Sequence, residues 1–338
     1  MPPAELLAAL VRMGLLPADA PPPTGARLTG GVSSDIWRID LPTGPICVKR
    51  ALAKLRVAAD WRAPVARNRY EAHWMRRAEA ACPGLTPALL GQDPEAGALA
   101  MAYLDPATHK LWKHQLRDGI ADPGFAAAVG RAIAAVHAAT AGDPAVAAEF
   151  PAAEIFHEIR LAPYLLAAAA AHPDRAEALT RLAAGTAATR LALVHGDVSP
   201  KNILCGPAGP VLLDAECATW GDPAFDLAFC LNHLLLKCLW TPAATAGFLA
   251  CFDALAAAYA EAVRWEPPAV LETRAAALLP GLFLARVDGK SPVEYVTAEA
   301  AKDRVRRVAR AFLAAPATRL AAIRDAWASE LATTRDPA

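Results

Sequence analysis

The sequence predicts an α+β fold of two lobes, with a small antiparallel sheet on the N-terminal side and a larger, mostly helical C-terminal lobe. Three observations carry this. Between the PADAPPPTGA link and Leu104 the chain breaks into short apolar runs punctuated by Gly and Pro turns, the pattern of a meander. Beyond Pro106 long Ala- and Leu-rich tracts dominate, which favour helix without supplying bulky core side chains. One segment interrupts them, LALVHGDVSPKNILCGPAGPVLLDAE, where apolar runs around Val194 and from Val211 to Leu213 flank polar turns. A chain of 338 residues suffices for two lobes around a cleft and is too short for several unrelated modules.

In chain order, a helix near residues 5–13 ends at Gly14, and the proline-rich link delivers the chain to the sheet. RLTGG, DIWRIDL and PICVKRA read as three antiparallel strands joined by GGVSS and by the LPTGP turn. Residues 65–81 read as a helix, and PALLGQDPE and ALAMAYL as two further strands, which closes a first lobe at residues 1–104. Residues 105–338 form the second lobe. Its helices are expected at residues 125–141, 154–172, 175–190, 223–239 and 243–263, and from residue 298 onward. Asp222 before Pro223 reads as an N-cap with proline in the first helical position.

Lys and Arg total 34, as do Asp and Glu, so no overall field recruits nucleic acid or an acidic membrane surface. The longest apolar stretch, residues 224–240, contains Asp226, Asn232, His233 and Lys237, which a lipid-spanning helix would bury at high cost. The first residues resemble an amphipathic helix rather than a leader. Seven cysteines include no C-x-x-C pair and no zinc spacing. Free thiols in a cytoplasmic protein, monomeric or homodimeric, are expected.

The sharpest chemical signal is H-G-D-x-x-x-x-N, formed by His195, Gly196, Asp197 and Asn202, followed by L-L-D-x-E with Asp214 and Glu216. Phosphoryl transfer from ATP needs a carboxylate that orients the attacking hydroxyl and accepts its proton, and oxygen ligands for magnesium. Asp197 suits the first task as catalytic residue. Asn202 offers an amide oxygen and Asp214 a charged oxygen for the metal. Glu216 lies on the same side of an extended chain as Asp214, within reach of a second metal or a metal-bound water.

HGDVSPKN with LLDAE resembles the aminoglycoside phosphotransferase and choline kinase superfamily, relatives of the protein kinases, in order from Gly30 to Trp240. The resemblance implies a protein-kinase-like fold, ATP and Mg2+ as cofactors, and a small-molecule hydroxyl acceptor. Lys49 in ICVKR resembles the strand lysine that grips the nucleotide phosphates, and Glu71 in NRYEAHW its helix partner. Glu71 also stands one turn after Arg67, an alternative ion pair. GGVSSDIWRI, with Gly30, Gly31 and Ser33, resembles the nucleotide loop without a full G-x-G-x-x-G, and residues 101–104, with Met101 and Tyr103, fall where the hinge meets adenine. Asp226 matches an aspartate that supports the catalytic loop by accepting backbone hydrogen bonds. His195 matches a histidine that packs beneath that loop, and no catalytic role is assigned to it or to His137.

For the acceptor, His233 and Lys237 follow the metal strand on a helix, while Arg286, Asp288 and Lys290 belong to ARVDGKSPVEYV, a polar turn-forming insertion. ICVKRALAKLRVAADWRAP resembles methylthioribose kinases after their strand lysine, which suggests a sugar-like alcohol, although the catalytic loop departs from theirs at Asn202. Arg160, His233, Lys237, Arg286 and Lys290 on the candidate acceptor segments favour a neutral or anionic polyol over a polycationic aminoglycoside. Glu158, Glu294, Glu299 and Asp288 leave an aminoglycoside-modifying role open. AMP transfer to a protein and a catalytically silent binder are the other classes, and intact Lys49, Asp197, Asn202 and Asp214 argue against silence.

Overall fold

Five short strands make one antiparallel sheet, and two helices close its faces. The computed structural model of the protein describes residues 1–28, 34–52, 54 and 64–333. Helix α1 (Ala4–Arg12) precedes β1 (Thr24–Leu28), β2 (Ser34–Leu41), β3 (Gly44–Ala51), α2 (Arg67–Ala81), β4 (Leu89–Asp93) and β5 (Ala98–Ala102). The strand order is β1-β2-β3-β5-β4. Side chains alternate faces along a strand. On β3, Ile46 and Val48 therefore join Leu6, Ala9 and Leu10 of α1 in one apolar cluster. Cys47, on the opposite face, packs with the cluster that holds Ala72, Trp74 and Met75 of α2. The same alternation turns Lys49 toward α2, where Glu71 waits.

Next come β6 (Lys110–Leu111), α3 (Trp112–Arg117), α4 (Pro123–Thr140), α5 (Pro144–Glu149), α6 (Ala153–Phe156), a π-helical stretch (His157–Leu166), α7 (Ala167–Ala171) and α8 (Ala176–Ala188). Then β7 (Ala192–Val194), β8 (Ile203–Gly206), β9 (Gly209–Leu212) and β10 (Thr219–Gly221) carry the catalytic-loop region. Strand β7 pairs with β10, and β8 lies between β6 and β9. The chain then runs through α9 (Pro223–Trp240), α10 (Thr245–Ala262), α11 (Pro268–Asp288), α12 (Glu299–Ala314) and α13 (Leu320–Thr333). The α+β, protein-kinase-like architecture expected from the sequence is the one observed.

Helix α9 is the axis of the helical lobe, buried continuously from Pro223 to Cys238. Its start follows the sequence signal, since Asp222 accepts the Ala224 N–H at 3.0 Å with Pro223 as the first helical residue. Helix α11 is a difference. Residues 286–296 read in the sequence as a turn-forming insertion between helices, whereas α11 runs through Asp288 and buries Arg286 within it. Two prolines open it, Pro280 and Gly281 interrupt it, and it is apolar nearly all round, so neither period nor propensity marks it. Residues 242–262 and α11 are long and apolar enough to cross a membrane, yet 33% and 61% of their apolar windows are buried, against α4 and α9 among others.

Helices α4 and α10 meet at Gly130, where an added Cβ would stand 2.4 Å from the Leu255 carbonyl oxygen. Gly130→Ala should therefore push the pair apart and cost about 1–3 kcal/mol. Chemical denaturation measures this, and an unchanged midpoint would contradict the close approach.

Candidate active site

Lys49 Nζ lies 2.8 Å from both carboxylate oxygens of Glu71 and also contacts Asp214 Oδ1, so one ammonium joins the sheet, α2 and the segment after β9. Burial works against its charge, but Asp214, Glu71 and Glu216 together raise Lys49 above the usual lysine value. Burial pushes Glu71 up to about 7, with Lys49 pulling the other way. Burial also opposes the charge of Asp214, yet Lys49, Lys201 and Arg160 hold that carboxyl well below the usual range. Asp214 is the one non-glycine residue with positive φ, 67°, among the described residues. The Leu213 N–H bound to Asn202 O at 2.8 Å fixes the chain just before it.

The loop after β7 hangs from a buried carboxylate. Asp226 Oδ2 accepts the His195 N–H at 2.7 Å and stands 3.2 Å from His137 Nε2, while Oδ1 accepts the Gly196 N–H at 2.8 Å. His195 Nδ1 accepts the Asp197 N–H at 3.1 Å, which leaves the ring proton on Nε2 to donate to Leu213 O at 3.1 Å. Its ring packs edge-on against Trp74 at 4.7 Å. Gly196 has φ 78°, and a Cβ there would meet the Cys217 Cβ and carbonyl oxygen at 2.8 Å, so the turn requires glycine.

Asp197 leaves this loop buried and doubly held on one oxygen. Arg160 Nη2 is 2.7 Å and Lys201 Nζ 3.1 Å from Oδ2, while Oδ1 has no hydrogen-bond partner. Arg160 comes from the π-helical stretch that contains Pro163, and it also donates to Gly196 O at 2.5 Å. Asn202 spends its amide nitrogen on Asp197 O at 3.1 Å, so its carbonyl oxygen is the atom that could coordinate a metal. With Lys49 on Oδ1, the second oxygen of Asp214 is the other hard donor. Among the described residues no group of three or more His, Cys, Asp or Glu is placed to hold a metal. Magnesium takes one or two carboxylates plus substrate phosphates rather than an all-protein cage, so Asn202 and Asp214 fit it.

The remaining candidates separate. Glu216 Oε2 is ion-paired with Arg67 Nε at 3.0 Å, in place of an Arg67–Glu71 pair. His233, Lys237 and Arg286 line one pocket of about 280 Å3 with Lys113, Pro200, Lys201, Glu294 and Tyr295. Asp288 instead pairs with Arg306 at 2.6 Å and His172 at 2.8 Å, and Lys290 is exposed, its N–H bound to Pro163 O. Asn232 turns back to Phe229 O. Met101 is buried in β5, and Tyr103 lies 5.0 Å beneath the Arg38 guanidinium. Gly30, Gly31 and Ser33 lie outside the described residues. The sequence reading did not single out Lys201, although it falls four residues after Asp197 in the motif, and it counted Arg160 only as a charge near the acceptor.

The phosphotransferase enzyme family matches residues 24–264, well over half of the chain, and the protein belongs to that family. Among solved structures, the aminoglycoside phosphotransferase of Alicyclobacillus acidocaldarius subsp. acidocaldarius has 16% identity and a TM-score of 0.50, with coverage of 98% of this chain and 97% of that one. The ethanolamine kinase of Plasmodium vivax has 10% identity and a TM-score of 0.50, with coverage of 95% and 84%. At these identities the likeness speaks to the fold. No curated protein gives a significant match.

Replacing Asp226 by Asn turns an acceptor that serves two backbone N–H groups into a mixed donor and acceptor, with an expected loss of about 1–3 kcal/mol. Burial would raise Asp226, but His137 and His195 hold it below the usual carboxylate value. A depressed carboxyl contributes stability above its unfolded value, about 3.9, that is lost as pH falls through the folded one. Asp226→Asn should therefore flatten the acid limb of a stability-against-pH curve. An acid limb identical to the parent's would remove Asp226 from this role.

Proposed function

We propose that the protein transfers the γ-phosphoryl group of ATP to a hydroxyl of a small molecule, with residues 1–104 as the nucleotide lobe and 105–338 as the acceptor lobe. The observation that carries this reading is Asp197, with one oxygen clamped by Arg160 and Lys201 and the other buried without a partner. A carboxylate in that state is oriented and lacks one hydrogen bond, which an acceptor hydroxyl supplies. Asp197 Oδ1 takes the hydroxyl proton as the oxygen attacks, and Arg160 and Lys201 keep the carboxylate fixed while it does so. Lys49, positioned by Glu71, places a point charge for the nucleotide phosphates, and Asn202 and Asp214 would hold the metal, with Glu216 braced by Arg67 beside them. Magnesium-bound ATP supplies the phosphoryl group and the screening of its charge. Met101 and Tyr103 stand where β5 leaves the sheet, the position assigned to the adenine hinge.

Asp197→Asn should keep the fold and ATP affinity and lower kcat by about 10²–10⁴-fold, since the amide accepts a hydrogen bond but takes no proton. Near-normal turnover would remove Asp197 from the base role. Asp214→Ala should lose the magnesium dependence of nucleotide binding, because a charged metal ligand is gone. Titrations with and without Mg2+ measure this, and equal magnesium dependence in both proteins would contradict the assignment. ATP labelled separately at the α and γ positions distinguishes phosphoryl from AMP transfer.

A further inference from the structure

The pocket beside the catalytic loop has a charge balance that the transfer reaction alone does not require. Its lining cations are Lys113, Lys201, Lys237 and Arg286, with His233 among them and Glu294 as the one carboxylate. Two of these charges are already matched, since Lys113 pairs with Glu294 at 2.5 Å and Lys201 with Asp197 at 3.1 Å. Two are not. Among the described residues Arg286 donates only to neutral groups, the Tyr164 hydroxyl and the Ser291 carbonyl and hydroxyl, and its buried Nε has no partner. Lys237 is 1% exposed and forms no ion pair among the described residues, its Nζ lying 4.1 Å from the ring centroids of both Trp240 and Tyr295. The Tyr295 hydroxyl is likewise buried without a partner.

Buried charges are ordinarily paired. Here burial and Lys113 push Lys237 down to about 7, with Glu294 opposing and Arg286 adding to the shift. His233 is pushed well below its usual value by burial and then by Arg286, Lys237, Lys201 and Lys113. His233 and Lys237 thus sense the other pocket cations. A cationic acceptor is disfavoured twice over. It meets these charges, and Trp240 and Tyr295, stacked on each other at 4.2 Å, turn toward one another the inner ring faces that a quaternary ammonium would use.

We propose that the acceptor is a small hydroxylated oxyanion, a molecule whose carboxylate or phosphate group is bound by Lys237, Arg286 and the Tyr295 hydroxyl beside Lys201. This rests on the phosphotransferase reading above, because Lys201 spans the pocket and Asp197 and so sets the anion next to the base.

Two measurements test it. Transfer from γ-labelled ATP is compared within matched acceptors: glycerate against glycerol, glucose 6-phosphate against glucose, and ethanolamine as the cation. The best acceptor should be anionic, at least tenfold above its neutral counterpart in kcat/KM, with the glycerate and sugar phosphate arms telling carboxylate from phosphate. Lys237→Gln should raise the KM for that acceptor at least tenfold. A neutral or cationic best acceptor overturns the proposal while leaving the phosphotransferase reading intact. Independently of turnover, inorganic phosphate and acetate are titrated calorimetrically into protein saturated with Mg2+ and AMP-PNP. At least one should bind, and at least tenfold more weakly to Lys237→Gln and to Arg286→Gln, with AMP-PNP affinity retained as the check on folding. Absence of binding by either anion, or equal binding by the folded variants, overturns it. Anion binding without any γ-transfer would instead count against the phosphotransferase reading alone.

Discussion

The catalytic loop depends on one buried carboxylate. Asp226 sits on the first turn of α9, and its two oxygens receive the consecutive backbone N–H groups of His195 and Gly196 with His137 behind. The residues of the loop are placed relative to that anchor. The Gly196 turn aims Asp197, the His195 ring ties the loop to Leu213, and Leu213 precedes Asp214. The continuously buried α9, from Pro223 to Cys238, thus holds through two short hydrogen bonds the loop that carries Asp197. His137 completes the anchor from α4 and is itself held by the Tyr259 hydroxyl of α10 at 2.7 Å. Three helices therefore converge on one carboxylate.

A second shared charge links the two lobes. Lys49 belongs to β3, Glu71 to α2 and Asp214 to the segment after β9, so the relative position of sheet and helical lobe is coupled to one ammonium. Lys49 is thus shared by two carboxylates, Glu71 from α2 and Asp214 from the segment after β9.

Much of this was legible in the sequence. Short apolar runs and Gly-Pro turns marked β2, β3 and β5, and the Asp222-Pro223 cap fixed the start of α9. The ordered motif placed Asp197, Asn202 and Asp214 near one another because they are near in the chain. What stayed hidden was either apolar all round or paired over long sequence distance. Helix α11 begins with prolines and carries Pro280 and Gly281 inside, so its burial, and that of Arg286, had no periodic trace. Arg160 meets a loop 36 residues away, and Arg67 meets Glu216 across 149. Such pairs leave no local pattern, since each partner alone reads as a solvated charge.

The left-handed backbone at Asp214 limits what evolution or an engineer can place there. A residue at φ 67° is tolerated when its side chain is short and polar or absent, and longer side chains cost about 1–2 kcal/mol in that region. Glutamate keeps the charge but strains the backbone, whereas asparagine suits the backbone but gives up the charge that pairs with Lys49. Chain geometry and electrostatics therefore restrict this position together, and aspartate meets both demands.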